Sequence, residues 1–335
     1  MWRYPVGDCA CDVSINQLDP ATPVSVIYLE LTPTCNNACS GCSNVFERDT
    51  GDAPLPAEDW ARLFEKFAPY RPRLRLTGGE PTLHPEFDQV VRRVEAMGFP
   101  FTVFSNARWP NSDQMIEMLT SASGLECLLI SLHGANAASH EAFTGVTGSF
   151  QETINNARKA STAGLSVTTS TVITRHNYAG IAELLALSSD LGASHAVFNR
   201  YIGAPLPGLE ASADELRAAV QEVERQKAIS GNGWVKFGTP IPHCFTPNSS
   251  NGCMAGFAHV TIDPWGNVRP CPHTPIVTGN LLRQALDSIL VDDRMVAWRQ
   301  QYLAQCQTCS TRDGCLAGCL VMAMARGKRR DPLIT

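Results

Sequence analysis

The chain has 335 residues, 44% of them hydrophobic and 18% charged, with a formal net charge of −5. That length buries a substantial core and suits one large unit with a smaller one attached, and the composition is that of an ordinary globular protein. The weak negative charge gives no electrostatic reason to expect nucleic acid or an anionic membrane as a partner. The opening residues MWRYPVGDCACDVS lack an apolar signal core, and no apolar run is long enough to span a bilayer, so a cytoplasmic protein is expected.

From residue 25 to residue 200 short β-branched runs alternate with amphipathic stretches. SVIYLEL (25–31) reads as a strand. Residues 56–68 read as a helix entered through Pro56, with Trp60, Leu63, Phe64 and Phe67 on one face. Strands follow at 73–79, 101–106, 126–134, 165–173 and 194–200, separated by helices near 86–96, 112–121, 150–162 and 178–190. Parallel strands need such crossovers, and six units fall short of the eight that close a full barrel. The expected fold is α/β, a partial (β/α)6 TIM-type barrel, with an open doubly wound sheet as the alternative. In both, functional residues gather at the C-terminal ends of the strands. After residue 201 comes a Gly/Pro-rich stretch and a charged helix at 212–228, and from residue 232 an irregular region rich in Gly, Pro and Cys, read as a metal-dependent module with little core of its own. The expected division is an extension at 1–24, the barrel at 25–201, a linker and helix at 202–231, and the cysteine-rich module at 232–335.

Thirteen cysteines in a reducing compartment point to metal sites rather than disulfides. In TPTCNNACSGCSN, just after the first strand, Cys35, Cys39 and Cys42 stand at the spacing C-x3-C-x2-C. A structural zinc site uses four protein ligands and a [4Fe–4S] cluster ordinarily four cysteines, so three leave one position for an exogenous ligand. The second strand ends in Gly78, Gly79, Glu80 and Pro81. Two glycines allow close backbone approach to a ligand, and a carboxylate suits an ammonium group. Further on come Cys244, Cys253, Gly266, Cys271 and then Cys306-x2-Cys309-x5-Cys315-x3-Cys319, for which a zinc ribbon is the plainer reading.

The cysteine triplet and the GGEP segment resemble the signature of the radical S-adenosylmethionine (SAM) superfamily, and the later cysteines resemble its SPASM or twitch appendage. The resemblance spans about residues 25 to 325. It implies that Cys35, Cys39 and Cys42 hold a [4Fe–4S] cluster whose open iron binds SAM, and that Gly78, Gly79 and Glu80 hold the methionyl amine. It implies weaker SAM contacts at Ser105, Asn106, Ser131 and Arg200. His133, at the end of the fourth strand, is read as substrate-facing and catalytic because a group that titrates near neutral pH suits proton transfer. It assigns Cys253, Cys271 and Cys319, with Cys244, to a first auxiliary cluster, and Cys306, Cys309 and Cys315 to a second. The second lacks its family-type final cysteine, so one or two auxiliary [4Fe–4S] clusters are expected, with Cys9, Cys11 or Asp313 as substitute ligands. The family's aromatic residue before the third cysteine, near adenine, is here Gly41, so the adenine contact falls to Phe46 or backbone near residue 202. Cys127, inside a strand, is read as a small core residue.

The implied activity is reductive cleavage of SAM to a 5′-deoxyadenosyl radical, with electrons from a reductant such as flavodoxin or ferredoxin, and hydrogen abstraction from a peptide to give a crosslink, oxidation or epimer. A small metabolite (nucleoside, sugar or tetrapyrrole precursor) is the competing substrate class, because only about two dozen residues precede the first strand and leave no room for a leader-binding module. A non-catalytic electron carrier is the third reading, disfavoured because a carrier needs no open iron.

Overall fold

The aliphatic runs of the first two hundred residues form the strands β1 (Val26–Glu30), β2 (Arg73–Thr77), β3 (Phe101–Ser105), β4 (Leu125–Ser131), β5 (Val167–Ile173) and β6 (His195–Arg200). They belong to a computed structural model that describes residues 24–45, 51–231, 233–246, 253–304, 309, 315 and 318–334. These six strands are parallel and lie in sequence order, β1 to β6, without the reversal that defines a doubly wound sheet. The architecture is therefore the partial (β/α)6 barrel.

The helices α1 (Ala57–Phe67), α2 (Phe87–Ala96), α3 (Ser112–Ser121), α4 (Ala137–Thr144), α5 (Ser149–Thr162), α6 (Ile181–Asp190) and α7 (Ala213–Ser230) follow the strands. The apolar stripe foreseen for α1 buries Trp60, Leu63, Phe64 and Phe67, and Phe64 and Phe67 meet Phe99 at ring distances of 6.2 and 5.6 Å. Burying each such side chain contributes about 1.5–3 kcal/mol. Ser212 and Glu215 form a reciprocal capping box that starts α7. Helix α4 lies in a stretch the periodicity left unassigned. AASHEAFT is short and has little amphipathic contrast, and its start is set by Asn136, whose side chain accepts the Ser139 N–H.

The strands alternate with period two, and that alternation creates the two faces of the sheet. Ile27, Leu29, Leu74, Leu76, Leu128 and Ile130 are fully buried in the main core. Their neighbours Tyr28, Glu30, Arg75, Thr77, Leu129 and Ser131 face the opposite side, where they line a cavity.

The region after residue 232 joins the barrel through the sheet. Its strands β7 (Val235–Phe237), β8 (His259–Ile262), β9 (Asn267–Arg269) and β10 (Gly279–Asn280) extend the barrel sheet at both edges, in the order β10-β9-β8-β1-β2-β3-β4-β5-β6-β7. β8 runs parallel to β1 with Val26 opposite His259, and β7 runs parallel to β6. The exposed edges of a partial barrel carry unpaired backbone groups, and these short strands satisfy them. Helices α8 (Leu286–Leu290), α9 (Asp293–Ala304) and α10 (Leu320–Ala325) complete the chain. Cys271, Cys319, Met254, Trp298 and the α10 residues Leu320 to Ala323 form a second, smaller core. Among the described residues no helix is long and apolar enough to cross a membrane.

Candidate SAM and iron–sulfur site

The cysteine loop leaves β1 at its C-terminal end and is docked on the end of α4, where Ala38 N–H donates to the Thr144 carbonyl (2.9 Å) and Ser40 N–H to that of Phe143 (3.2 Å). Arg108 clamps the same loop: one guanidinium nitrogen reaches the Asn36 carbonyl (2.6 Å) and Asn37 Oδ1 (2.8 Å). Nothing in the sequence around Arg108 signals that role.

The two glycines of the GGEP segment are required by this loop. Gly79 N–H donates to the Thr32 carbonyl and Glu80 N–H to that of Thr34, both at 2.8 Å. A Cβ on Gly79 would lie 2.3 Å from the Thr34 carbonyl oxygen, and one on Gly78, whose φ is +138°, 2.6 Å from that of Thr32. Asn44 fastens the far end of the loop by donating to the Gly78 carbonyl at 2.7 Å. The close approach inferred from the glycines is thus between two backbone segments of the protein itself.

Glu80 is 1% exposed, and its carboxylate accepts from Ser105 Oγ (2.8 Å), Thr82 Oγ1 (2.7 Å) and Asn106 N–H (2.7 Å). Burial pushes its pKa up, and these bonds work against that rise. Ser105 Oγ also accepts from Ala107 N–H and the Trp109 indole, so its hydroxyl is committed to the protein. Asn106 joins the two segments: its side-chain amide donates to Asn36 Oδ1 (2.7 Å) and lies 3.9 Å from Cys35 Sγ.

Cys35, Cys39, Cys42, Gly78, Gly79, Glu80, Ser105, Asn106, Ser131, His133 and Arg200 all line one cavity of about 300 Å³ at the strands' C-terminal ends, together with Pro272 and His273 from beyond β9. Two of these residues have partners within the protein that lie far off in the sequence or on an unassigned helix. His133 accepts the Val172 N–H at Nδ1 and packs against Phe143 with ring centroids 3.9 Å apart. Burial, then the neighbouring His140, lowers its pKa to about 3. Its ring thus forms part of the cavity wall. The Arg200 guanidinium makes two bonds to Asp331, at 2.7 and 3.0 Å. The missing aromatic at Gly41 also has a structural counterpart: a Cβ there would lie 2.5 Å from Leu209 and 3.0 Å from Phe143, and Phe143 and Ile202 line the same cavity. Phe46 lies outside the described residues.

The donors present fit iron–sulfur clusters. At the first group the Asn37 N–H points to Cys35 Sγ at 3.4 Å, a contact suited to a thiolate. At the second, burial and then Cys319 push the Cys253 thiol up to about 12, and burial, Cys253 and Cys319 push Cys271 well above the ordinary thiol range. Cys271 and Cys319 are buried and Cys253 half-buried, and burial opposes ionisation of all three, so they make a set that a metal centre would stabilise as thiolates. Among the described residues no three His, Cys, Asp or Glu side chains converge tightly enough for a single metal ion, and a cubane, which spreads its ligands over separate irons, needs no such convergence. Cys244 is exposed, with its Sγ 4.0 Å from the Leu333 carbonyl, while the adjacent His243 N–H points to Cys315 Sγ at 3.3 Å. The expected fourth ligand of one group thus adjoins a thiol of the other. Cys309 is exposed and Cys315 buried; Cys9, Cys11, Cys306 and Asp313 lie outside the described residues. Cys127 is 3% exposed and bonds Thr168 inside the sheet.

Comparison with known proteins agrees with this geometry. The family model of the radical SAM superfamily matches residues 29–187, and that of the SPASM iron–sulfur cluster-binding domain matches residues 253–311. The chain is 26% identical over 324 residues to the PqqA peptide cyclase of Gluconobacter oxydans (strain 621H), covering 91% of this chain and 88% of that one. It is 27% identical over 322 residues to the PqqA peptide cyclase of Xanthomonas campestris pv. campestris (strain B100), covering 90% and 83%. Its fold matches Streptococcus suis SuiB bound to the precursor peptide SuiA with a TM-score of 0.78 at 18% identity, over 94% of this chain and 76% of that one. It also matches anSMEcpe with bound AdoMet, with a TM-score of 0.73 at 12% identity, over 90% and 91%. With a cysteine triplet beside a GGE segment at the mouth of a partial barrel, and a buried set of thiols beyond it, this chain belongs to the radical SAM superfamily and carries a SPASM iron–sulfur domain.

Proposed function

We propose that this protein modifies a peptide by radical SAM chemistry, abstracting hydrogen from the substrate to produce a crosslink, an oxidation or an epimer. The observation that carries this reading is the similarity to PqqA peptide cyclases over nine-tenths of the chain, and the fold it shares with SuiB bound to a precursor peptide supports it.

Residues 25–201 would carry the SAM chemistry, residues 202–231 link it to the rest, and residues 232–335 carry the auxiliary clusters. Cys35, Cys39 and Cys42 would hold the SAM-site [4Fe–4S] cluster, with the Asn37 N–H and the Asn106 amide directed at the Cys35 sulfur. When bound there, the cluster supplies the electron that cleaves SAM to the 5′-deoxyadenosyl radical. The backbone of Gly78 and Gly79 faces the cavity beside the triplet and offers carbonyls to the methionyl ammonium. Glu80, held by Thr82, Ser105 and Asn106, fixes that backbone. Phe143 and Ile202 present the apolar surface that adenine requires, in place of an aromatic at Gly41. Ser131 lies further along the same cavity wall. Cys244, Cys253, Cys271 and Cys319 would ligate the first auxiliary cluster, and Cys306, Cys309 and Cys315 a second. A low-potential reductant such as flavodoxin or ferredoxin would deliver electrons, and the thirteen cysteines suit a reducing cytoplasm.

Deuterium transfer tests the substrate class. Anaerobic, reduced protein is incubated with SAM and a side-chain-deuterated candidate precursor peptide. Deuterium in 5′-deoxyadenosine, with a mass change in the peptide, supports the reading. Transfer only from a small metabolite overturns it.

A further inference from the structure

Arg200 closes β6 beside the SAM cavity, and Asp331 lies near the end of the described chain, 131 residues away. Their side chains are 2% and 0% exposed. The guanidinium engages both carboxylate oxygens, at 2.7 and 3.0 Å, and its own backbone N–H is tied to Thr239 Oγ1 at 2.8 Å. The Asp331 carboxylate accepts two further bonds, from Cys319 N–H at 2.6 Å and Leu333 N–H at 2.9 Å. Its approach to the cysteine is enforced from the other side: Gly318 has φ +75°, and a Cβ there would lie 2.6 Å from Asp331 Oδ2.

We infer that Arg200 and Asp331 are positioning residues for the first auxiliary cluster: the pair anchors the Cys319 backbone to the end of β6 and sets the electrostatic potential at the cluster through two opposed buried charges. The inference rests on the reading of Cys319 as a ligand of that cluster. A buried, bidentate pair is a costly arrangement unless its remaining valences are satisfied. Here they are satisfied by the backbone of the cysteine itself and by the residue two beyond the aspartate. Because Arg200 also lines the SAM cavity, the pair joins the radical site to the auxiliary site through one side-chain contact. Cluster potentials respond to nearby charge and to hydrogen bonds around the sulfurs. Reduction adds negative charge to the cluster, so a nearby cation favours it and a nearby anion opposes it.

The test is a spectroelectrochemical titration of the full-length reconstituted protein by electron paramagnetic resonance, following the signal that SAM does not alter, with iron counted in each sample. Cys319→Ala is the control for the ligand reading, and loss of an auxiliary signal is expected; an unchanged spectrum overturns that reading and the inference with it. Given that loss, Arg200→Gln should move the auxiliary potential downward and Asp331→Asn should move it upward. The double variant should return towards wild type, and Arg200→Lys should lie nearer wild type than Arg200→Gln. If the single variants instead lose the auxiliary cluster, retention in Arg200→Lys and in the double variant supports the same pairing. Unchanged potentials, shifts of the same sign in both single variants, or equal loss in all four variants would overturn the inference while leaving Cys319 as a ligand.

Discussion

Replacing Gly79 with alanine should cripple SAM cleavage without touching a cysteine. The added Cβ would sit 2.3 Å from the Thr34 carbonyl oxygen and 2.6 Å from that of Pro33, where ordinary contact begins at 3.4 Å. The obstacle is backbone, so no rotamer relieves it, and the loop that carries Cys35 must retreat by about 1 Å. That retreat loosens the Gly79 and Glu80 bonds to the loop and displaces the first cysteine from its partners. Overpacking of this kind costs about 1–3 kcal/mol of stability. A misplacement of about 1 Å at a reacting centre can cost on the order of 100-fold in rate. The assay is 5′-deoxyadenosine formed under dithionite, together with thermal unfolding of the same sample. Gly208→Ala is the matched control, since a Cβ at Gly208 would meet nothing within 4 Å. A Gly79→Ala protein that cleaves SAM at the wild-type rate would refute the packing argument.

Three further outcomes are expected. Trp60→Ala should lower stability by about 3–5 kcal/mol, read by denaturant unfolding of the anaerobic protein, because the indole is fully buried in the main core and its ring lies 6.4 Å from that of Phe64. Phe143→Ala should raise the KM for SAM more than it lowers kcat, since it removes an apolar face of the cavity without touching a cysteine; an unchanged KM would remove Phe143 from the adenine site. Glu30→Gln should change the pH dependence of stability. Burial raises the Glu30 pKa from 4.5 to about 7 despite the Arg269 ion pair, so between those values the folded state holds a proton that the unfolded state has lost. Its contribution therefore favours folding below pH 4.5 and is lost as pH rises towards 7, by up to about 3 kcal/mol. His133, whose pKa is lowered to about 3, acts with the opposite sign, so the quantity to compare is the wild-type minus Glu30→Gln difference in melting temperature at pH 5 and pH 7.5. Equal differences at the two pH values would contradict the assignment.

The barrel could be read from the sequence because its signals are local. β1 to β6 are runs of branched and aliphatic residues, each followed by a helix with its own apolar stripe, and the alternation of six such units leaves few topologies. The cysteine triplet and GGEP segment were legible for the same reason, each being contiguous. What escaped depends on partners distant in the chain. β7 to β10 are two to four residues long, and β8 exists because Val26 to Leu29 offer it an edge. The glycines of GGEP were assigned to ligand approach, whereas their immediate neighbours are the carbonyls of Thr32 and Thr34, known only once the loop folds back. Arg200 ended a strand where a SAM contact was expected, but its partner Asp331 is 131 residues on. The packing of His133 against Phe143 and His140 likewise depends on a helix, α4, that the periodicity left unassigned.

The most direct test of the whole account is reductive SAM cleavage by the Cys35→Ala, Cys39→Ala, Cys42→Ala triple variant beside wild type, with iron and sulfide counted in both. Wild type should form 5′-deoxyadenosine. The triple variant should form none while keeping the iron held through Cys253, Cys271, Cys319 and the other late cysteines. Reductive cleavage of SAM by the triple variant would contradict the account.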